Sequence, residues 1–507
     1  MTLHNSDNFH DVYIIEPVVS CNGFRSKSVK VTSPPVFSQI KNLLPTPFWE
    51  NHSNAINAWW EAWELAFKNL RPSNPQTGFL SPYIDSAFND CLFMWDSVFI
   101  LEFAKYAINA FDFHQTLDNF YCRQHDDGFI CREIKEWDGG DRFHRFDPAS
   151  TGPNILAFAE WRRFLFTGDL NRLGEVFPAL LGYHRWMKKY RTWPDGSYWS
   201  TGWGCGMDNQ PRTKNSEEWI FYHDHQSWVD ANLQALISAQ ILIKIAGKIE
   251  YAAEQIDDIA QEESLLLSYI DNYLWDSTEG FYKDRLRDGT LSNVKTVGAF
   301  WSLLVDNIPF LNIQRIIDAL CNPRYFNRPH KIPSLSADNP YYDKSGGYWQ
   351  GSVWPPTNYM VLIGLSKLGM SELARSIALN HYDHILTVLD KTGSFWENYA
   401  PEEIIPGNRA KRDFVGWSGL GPIAIFLEYI IGLHPDVLTN HLRWDVYLTE
   451  LHGIVNYPFG KNGLINLECK KRDSLFDEPV VNITANIPVS IHLHWPGGEK
   501  FFHLNQE

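Results

Sequence analysis

Helical periodicity between residues 46 and 433 is the feature that most restricts the fold of this chain. Apolar residues recur there at helical spacing in about twelve segments, without the heptad seam that would indicate a coiled coil. The segments lie near residues 54–69, 97–110, 115–122, 153–167, 172–190, 226–248, 258–275, 294–305, 312–320, 355–368, 371–387 and 419–432. Twelve helices in one domain predict a ring of helical hairpins. Long loops rich in glycine, proline, tryptophan and aspartate would gather at one end of such a ring and form a binding site.

The two ends of the chain follow other patterns. Residues 1–45 contain short β-type runs and a Pro-Pro break, which predicts an extended or irregular segment. From about residue 441 the sequence is typical of antiparallel strands broken by Gly, Asn and Pro. The predicted strands are Val446–Leu448, Gly463–Leu467, Val480–Ala485 and Val489–His494. We therefore expect an N-terminal segment over 1–45, a helical body over 46–433 and a small β region over 434–507.

Charge and composition exclude several classes of partner. The net charge is −16, whereas nucleic acids and anionic membrane surfaces bind basic proteins. The longest apolar candidate for a membrane span, residues 423–433, is too short and contains Glu428. The N-terminus lacks a basic segment followed by an apolar run, so a cytoplasmic protein is expected. Seven cysteines without a C-x-x-C pair predict free thiols or small buried side chains rather than a disulfide framework.

The loop Gly206–Arg212 presents one carboxylate, Asp208, on an irregular backbone. It follows an aromatic and glycine-rich run that includes Trp203. Glycine permits sharp turns, and proline at position 211 stops a helix from continuing through the loop. An acid on a loop among aromatic rings is one way to build a sugar-binding acid site, and a tight turn with a capping aspartate fits the same residues. For Asn209 and Arg212, a role in holding the loop is favoured over contact with a sugar.

Two further loops combine aromatic rings with polar groups. Trp95-Asp96 lies at a helix start, where the aspartate is suited either to capping the helix or to accepting two hydroxyl groups. The run Tyr348-Trp349-Gln350-Gly351, followed by Trp354, combines rings with one amide. Such an uncharged wall suits a neutral polyhydroxylated ligand, although core aromatics at a helix start give the same pattern.

Trp396-Glu397 provides the second candidate carboxylate, with Asn398 and Tyr399 beside it to orient it. A solvent-facing acid on a strand or loop is the alternative. Trp417 belongs to another aromatic and glycine-rich entry into a helix, where packing alone explains the pattern.

Two carboxylates on separate aromatic loops predict acid–base chemistry. An apolar surrounding raises the pKa of one carboxyl group so that it holds a proton near neutral pH, while the other must stay ionised to act as a base. Glycoside hydrolysis needs this division. No zinc-ligand motif, phosphate-binding glycine loop or serine nucleophile elbow is present, so no metal or cofactor is expected. His223 and His225 form one histidine cluster, for which capping or a solvated loop is favoured over metal binding or catalysis.

Four motifs in chain order resemble glycoside hydrolase family 63 and its relatives, which include mannosylglycerate hydrolases, processing α-glucosidase-like enzymes and, more distantly, trehalases. The motifs are Trp95-Asp96-Ser97, Gly206–Asn209 with Pro211-Arg212, Tyr348–Gly351 with Trp354-Pro355-Pro356, and Phe395–Tyr399. The resemblance covers roughly residues 50–433. It implies a mainly α protein, an (α/α)6 barrel with a small β appendage, that hydrolyses an α-glycosidic bond of a small carbohydrate with inversion.

The resemblance also implies residue roles. Asp208 would be the general acid and Glu397 the general base, with their carboxyl groups roughly 6.5–9.5 Å apart to leave space for a water. The sugar subsite would be formed by Trp95, Asp96, Trp349, Gln350, Gly351, Trp354 and Trp417, with Tyr348, Trp203, Asn209, Arg212 and Trp396 as further candidates. Relatives often have arginine where this chain has Gln350, which weakens the case from that loop for an anionic aglycone.

Two other functions fit the same loops. A sugar epimerase or polysaccharide lyase on this kind of ring would need a histidine or tyrosine base in the cavity. A non-catalytic carbohydrate-binding protein would keep the tryptophans without two opposed carboxylates.

Overall fold

A computed structural model describes residues 15–86, 89–213 and 222–505 and contains mainly helix. Within these residues eleven α-helices occur: α1 (Phe37–Ile40), α2 (Ser53–Lys68), α3 (Met94–Ala104), α4 (Asp118–Tyr121), α5 (Leu156–Thr167), α6 (Leu170–Tyr190), α7 (Val229–Lys248), α8 (Asp257–Tyr269), α9 (Phe310–Cys321), α10 (Pro355–Lys367) and α11 (Ser371–Thr392). A 3₁₀ segment, Val297–Leu304, and a π-helical segment, Gly421–Ile431, complete the helical body. Each of the twelve predicted segments therefore contains helical structure.

Six helical segments form the inner part of the body. They contact one another in a closed cycle: α3, α5, α7, Val297–Leu304, α10 and Trp417–Ile431, the last of which contacts α3 again. Trp417–Ile431 comprises the 3₁₀ turn Trp417–Leu420 and the π-helical segment Gly421–Ile431. Inner helices are apolar around most of their circumference, and every residue of α3 is buried. The outer helix α2 buries instead one stripe at helical spacing, which includes Ala55, Trp59, Ala62 and Trp63. The inner helix α3 is thus buried on all sides, whereas the outer helix α2 is buried on one side.

The hairpin between α5 and α6 shows how tightly inner and outer helices are joined. Helix α5 ends at Gly168, whose left-handed φ of 70° closes the last turn. Asp169 follows at once and accepts a hydrogen bond from the backbone N–H of Arg172, which caps the start of α6. Two residues therefore reverse the chain.

Helix α7 departs from the prediction that no stretch is long enough to span a membrane. It is the one helix in the described part of the chain that meets this criterion by length and composition, and 83% of its most apolar window is buried inside the protein. Polar residues interrupt its apolar run, so the sequence did not predict a stretch of this length. Its contacts with α5, α6 and α8 make it a core helix of the ring.

Two four-stranded sheets form the β region. The strands of the described chain are β1 (Thr46–Trp49), β2 (Leu70–Arg71), β3 (Tyr83–Ile84), β4 (Cys91–Phe93), β5 (Glu133–Lys135), β6 (Trp275–Asp276), β7 (Phe281–Tyr282), β8 (Leu433–Asp436), β9 (His441–Asp445), β10 (His452–Phe459), β11 (Gly463–Cys469), β12 (Val481–Ala485), β13 (Val489–Trp495) and β14 (Gly498–Leu504). The sheet orders are β1-β10-β11-β12 and β14-β13-β9-β8, with β9 and β13 parallel. Buried and half-buried residues alternate along β11 and β13, as expected for strands with one face against a core.

Some strand predictions require correction. The run predicted at Val446–Leu448 lies just after β9, and β1–β8, β10 and β14 were not predicted. Strand β1 comes from a region predicted as helical body and pairs antiparallel with β10. In the N-terminal segment, which was predicted to be extended or irregular, the 3₁₀ turns Pro17–Cys21 and Gly23–Ser26 and helix α1 interrupt the irregular backbone, residues 27–36 have no regular element, and residues 1–14 lie outside the described part. All seven cysteines are free thiols, as predicted.

Candidate active site

The loops that precede the inner helices surround a cavity of about 170 Å³. Its walls are formed by Asn89, Phe93, Trp95, Asp96, Arg132, Glu133, Arg142, Phe143, Gly152, Pro153, Trp203, Gly206, Asp208, Tyr348, Trp349, Glu397 and Trp417. These residues come from the N-terminal ends of α3, α5, α7, α10 and Gly421–Ile431, or from the segments just before them. The loops of the ring therefore meet at one end. Asp208 and Glu397 both line this cavity, with the rings of Trp95, Trp203, Tyr348, Trp349 and Trp417.

Asp208 lies on a loop that passes close to an aromatic face. Gly206 has a left-handed φ of 75°, and a Cβ atom there would lie 3.1 Å from the ring of Trp95. Only glycine allows this approach without displacing the ring. Burial raises the pKa of Asp208 to about 6, with the positive charge of Arg132 lowering it and the negative charge of Glu133 raising it. The carboxyl group can therefore hold a proton in mildly acidic solution.

Glu397 is held at both carboxylate oxygens. The phenol of Tyr348 donates to Oε1 at 3.0 Å, and the backbone N–H of Lys411 donates to Oε2 at 3.0 Å. The indole N–H of Trp417 donates to the backbone carbonyl of Glu397 at 2.8 Å. Burial raises the pKa of Glu397 to about 7, and the two donors to its carboxylate oppose that rise. The side chain is thus fixed in orientation and titrates near neutrality.

Asp96 is the third buried carboxyl group in the cavity. It lies in the first turn of α3, and its residue is 7% exposed. Burial and the negative charge of Glu397 raise its pKa to about 8. A carboxyl group that stays neutral at pH 7 both donates and accepts a hydrogen bond. Asp96 is therefore suited to a sugar hydroxyl.

Arg132, Glu133, Arg142 and Phe143 line the cavity but were not among the predicted site residues. Arg132 Nη1 lies 2.6 Å from Glu133 Oε1, and its guanidinium stacks over the rings of Phe143 and Trp203. Strand β5, which begins at Glu133, pairs with β4 just before α3 and so reaches the site. This pairing joins segments about forty positions apart, and no local sequence pattern indicated it.

Arg212 does not line the cavity. Its guanidinium makes two hydrogen bonds with Asp230 and two with Asp284 at 2.6–2.8 Å, and all three side chains are at most 1% exposed. It also lies 4.1 Å above the ring of Trp228. These contacts anchor the end of the Asp208 loop to the start of α7, so Arg212 holds the loop, which is the role that the sequence favoured.

Five more of the predicted sugar contacts lie outside the cavity lining: Asn209, Gln350, Gly351, Trp354 and Trp396. Trp354 is fully buried and stacks on Trp349 with ring centroids 3.9 Å apart, so it supports the wall from behind. The Trp396 indole donates to Thr392, and the Gly351 backbone N–H donates to Ser334. The guanidinium groups that line the cavity are those of Arg132 and Arg142.

His223 and His225 pack beside Trp193 rather than in the cavity. The His223 ring meets Trp193 edge-on, and the His225 ring stacks on it with centroids 5.8 Å apart. None of the described residues that line the cavity is a histidine. Tyr348 does line it, but burial and the charge of Glu397 raise the pKa of its phenol well above the usual value, which makes it a poor base. Within the described residues, no group of three His, Cys, Asp or Glu side chains is arranged to hold a metal ion.

A model of the mannosylglycerate hydrolase MGH1-like glycoside hydrolase domain matches residues 92–408, more than half of the chain. The chain belongs to this family. It is therefore a glycoside hydrolase, and the resemblance to glycoside hydrolase family 63 is confirmed.

Relatives of this glycoside hydrolase occur in bacteria and fungi. An uncharacterized protein of Borreliella burgdorferi is 25% identical over 384 residues, covering 71% of this chain and 76% of its own. A mannosyl-oligosaccharide glucosidase of Saccharomyces cerevisiae is 21% identical over 288 residues, covering 48% of this chain and 34% of its own. Among solved structures, a GH63 mannosylglycerate hydrolase of Thermus thermophilus in complex with glucose matches at a TM-score of 0.57 and 20% identity, over 72% of this chain and 98% of that one. This last likeness places the hydrolase in the same class of helical barrel.

Proposed function

We propose that this glycoside hydrolase cleaves the α-glycosidic bond of a small glycoside with inversion of anomeric configuration. Asp208 protonates the leaving oxygen, and Glu397 removes a proton from the water that attacks the anomeric carbon. The bond from that carbon to the leaving oxygen breaks as the bond to the water oxygen forms, and the products are an alcohol and a β-configured sugar. The scaffold that we propose is an (α/α)6 barrel, supported by the closed cycle of contacts among the six inner segments.

One observation carries this proposal: Asp208 and Glu397 come from loops almost two hundred positions apart and line one small aromatic cavity. A cavity of about 170 Å³ is of the size that a single sugar ring occupies. The rings of Trp95, Trp349 and Trp417 offer flat apolar faces against which the C–H face of a pyranose packs. A binding protein would need these rings but would have no use for two buried acids that titrate near neutrality.

Both proposed catalytic carboxyl groups titrate near neutrality, because burial raises the pKa of Glu397 to about 7 and that of Asp208 to about 6. The productive form carries the proton on Asp208 and leaves Glu397 ionised. Tyr348 and the Lys411 N–H favour the productive form because both donate to ionised Glu397.

The aglycone that we propose is a small hydroxy acid. Arg132 and Arg142 line the cavity, and guanidinium groups bind carboxylates through paired hydrogen bonds. A solved structure of the Thermus thermophilus relative contains Tris and D-glycerate, and its TM-score to this chain is 0.57. A glycosylglycerate is therefore the first substrate to test. Arg142→Met should raise KM for α-glycosylglycerates while leaving KM for the corresponding glycosylglycerols unchanged, and an equal change for both would exclude this aglycone.

Release of reducing sugar from α-mannosyl and α-glucosyl glycerates, glycerols and disaccharides tests the activity. Asp208→Asn and Glu397→Gln should each lower kcat by about 10²–10⁴-fold and leave the unfolding transition in place. Glu403→Gln is the matched control, because Glu403 is an exposed acid on the same loop as Glu397 and should retain full activity. Full activity of either Asp208→Asn or Glu397→Gln would refute its assigned role.

A further inference from the structure

Asn209, the residue after the proposed acid, connects the acid loop to a second loop. Its side-chain Nδ2 donates to the carbonyl of Gly347 at 2.9 Å, and its Oδ1 accepts from the backbone N–H of Trp349 at 2.8 Å. One amide side chain thus grips the backbone on both sides of Tyr348. A two-point contact fixes orientation as well as distance, which a single hydrogen bond would not.

Tyr348 lies at the centre of this grip and reaches the proposed base. Its backbone has a φ of 67°, the left-handed region that a tyrosine rarely adopts, so the surrounding contacts must hold it there. The indole of Trp354 donates to its carbonyl at 3.3 Å. Its phenol donates to Glu397 Oε1 at 3.0 Å. The left-handed turn therefore aims the phenol at the base.

We infer that Asn209 is a positioning residue that sets the separation of the acid and the base by clamping the turn that carries Tyr348. The chain of contacts runs from Asp208 through its neighbour Asn209 to the backbone around Tyr348, and from the Tyr348 phenol to Glu397. This inference rests on the proposed roles of Asp208 and Glu397. It adds that the two acids are coupled through one amide side chain rather than placed independently by the helices behind them.

The remaining contacts of Glu397 explain why this coupling matters. The Lys411 N–H holds only Oε2, and the Trp417 indole holds the backbone carbonyl rather than the carboxylate. Without the phenol, one hydrogen bond from the described residues remains on the carboxylate, so its orientation is less firmly fixed. Inversion requires that this carboxylate face the attacking water across a fixed gap from the acid, so a less fixed orientation lowers the rate of the chemical step more than it lowers substrate affinity.

The test compares Asn209→Ala, Tyr348→Phe and the double variant with Asn339→Ala. Asn339 is a matched control because its side chain accepts from the Tyr341 N–H within its own loop. Asn209→Ala and Tyr348→Phe should each lower kcat by about 10–100-fold with KM changed by less than about threefold. The acidic limb of the kcat profile should move to higher pH in both, because ionised Glu397 loses a donor. The double variant should fall no further than Tyr348→Phe alone, and Asn339→Ala should match the wild type.

A crystal structure of Asn209→Ala provides a readout that does not depend on activity. In this structure the Tyr348 phenol should no longer lie within hydrogen-bonding distance of Glu397. If the phenol stays in place, or if the effects of the two single variants multiply in the double variant, the clamp is refuted. If instead Asp208→Asn retains full activity while the phenol moves as expected, the assigned catalytic roles are wrong and the structural coupling stands.

Discussion

Asp96 and Glu102 are buried carboxyl groups at opposite ends of the same inner helix, α3, and their pKa values move in opposite directions. Burial and the charge of Glu397 raise the pKa of Asp96 to about 8. Burial acts on Glu102 in the same sense, but the guanidinium of Arg162 and the ammonium of Lys105 outweigh it and lower the pKa of Glu102 to about 2. The helix dipole would favour the reverse order, because it stabilises anions at the N-terminal end. Charged partners, or their absence, therefore outweigh the dipole here.

The same difference between carboxyl groups at the two ends is seen across the other inner segments. At their C-terminal ends a second cavity of about 440 Å³ is larger than the cavity with the acids. Its Glu428 accepts hydrogen bonds from Tyr106 at 2.6 Å and Tyr359 at 2.7 Å and lies 3.7 Å from the ammonium of Lys105. Glu102 and Glu428 at this end each lie beside a buried cation, as structural carboxylates do. At the loop end the charge of Glu397 raises the pKa of Asp96, and the charge of Asp208 raises that of Glu397, which is the arrangement of a site that exchanges protons.

The C-terminal end of the inner segments, where Glu102 and Glu428 lie beside cations, is here called the paired end. Removing Arg162 should lower the stability of this end the most. Its Nε and Nη2 donate to the two oxygens of Glu102, each at 3.0 Å, so Arg162→Met leaves that buried carboxylate with Lys105 alone. The free energy of unfolding should fall by about 3–5 kcal/mol, as for other buried ion pairs that lose one member. Urea denaturation measures it. Arg324→Met is the control, since the Arg324 side chain is 73% exposed and should contribute almost nothing. A loss as small as that of the control would mean that the paired end does not stabilise the fold.

Two substitutions of Asp96, at the loop end of α3, test whether its carboxyl group is neutral at pH 7. If Asp96 is neutral at pH 7, an amide has nearly the same shape and hydrogen-bonding groups. Asp96→Asn should then keep kcat/KM within about fivefold, whereas Asp96→Ala should lower it by about 10–100-fold, since a buried hydrogen-bonding partner is lost. Equal losses in the two variants would indicate that Asp96 works as an ionised group.

The pH dependence of stability should show an effect of the same origin. The folded pKa values of Asp96, Asp208 and Glu397 lie above their unfolded values, so the folded state binds more protons between about pH 4 and pH 8. The stability from these groups is present at low pH and is lost as pH rises through that window, by about 1.4 kcal/mol per unit of pKa difference at most. The unfolding free energy should therefore fall less between pH 5 and pH 8 in Asp96→Asn than in the wild type. An identical fall would contradict the raised pKa of Asp96.

The helical body was predictable because its signal is local. Apolar spacing located all twelve helical segments, and buried stripes such as that of α2 repeat within a few turns. Strand β10 was missed because Gly453, Asn456 and Pro458 interrupt it, and a β-bulge between Ile454 and Tyr457 breaks the alternation. The residues of such a strand do not identify it, because it forms through pairing with the strands beside it.

The site was predictable only in part, for the same reason. Trp95, Asp96, Asp208, Trp349 and Glu397 belong to motifs that the sequence displays, and all five line the cavity. Arg132 and Glu133 reach it through the pairing of β4 with β5, and the hydrogen bond from Tyr348 to Glu397 joins two loops. Both features depend on how the ring brings distant loops together.

The configuration of the first sugar released tests the proposed mechanism most directly. Hydrolysis of an α-mannosyl or α-glucosyl glycerate would be followed by ¹H NMR, with the anomeric signals recorded before mutarotation mixes them. An inverting pair formed by Asp208 and Glu397 predicts that the β-anomer appears first and the α-anomer only later. Appearance of the α-anomer first would mean retention through a covalent intermediate, and it would contradict the roles assigned to both residues.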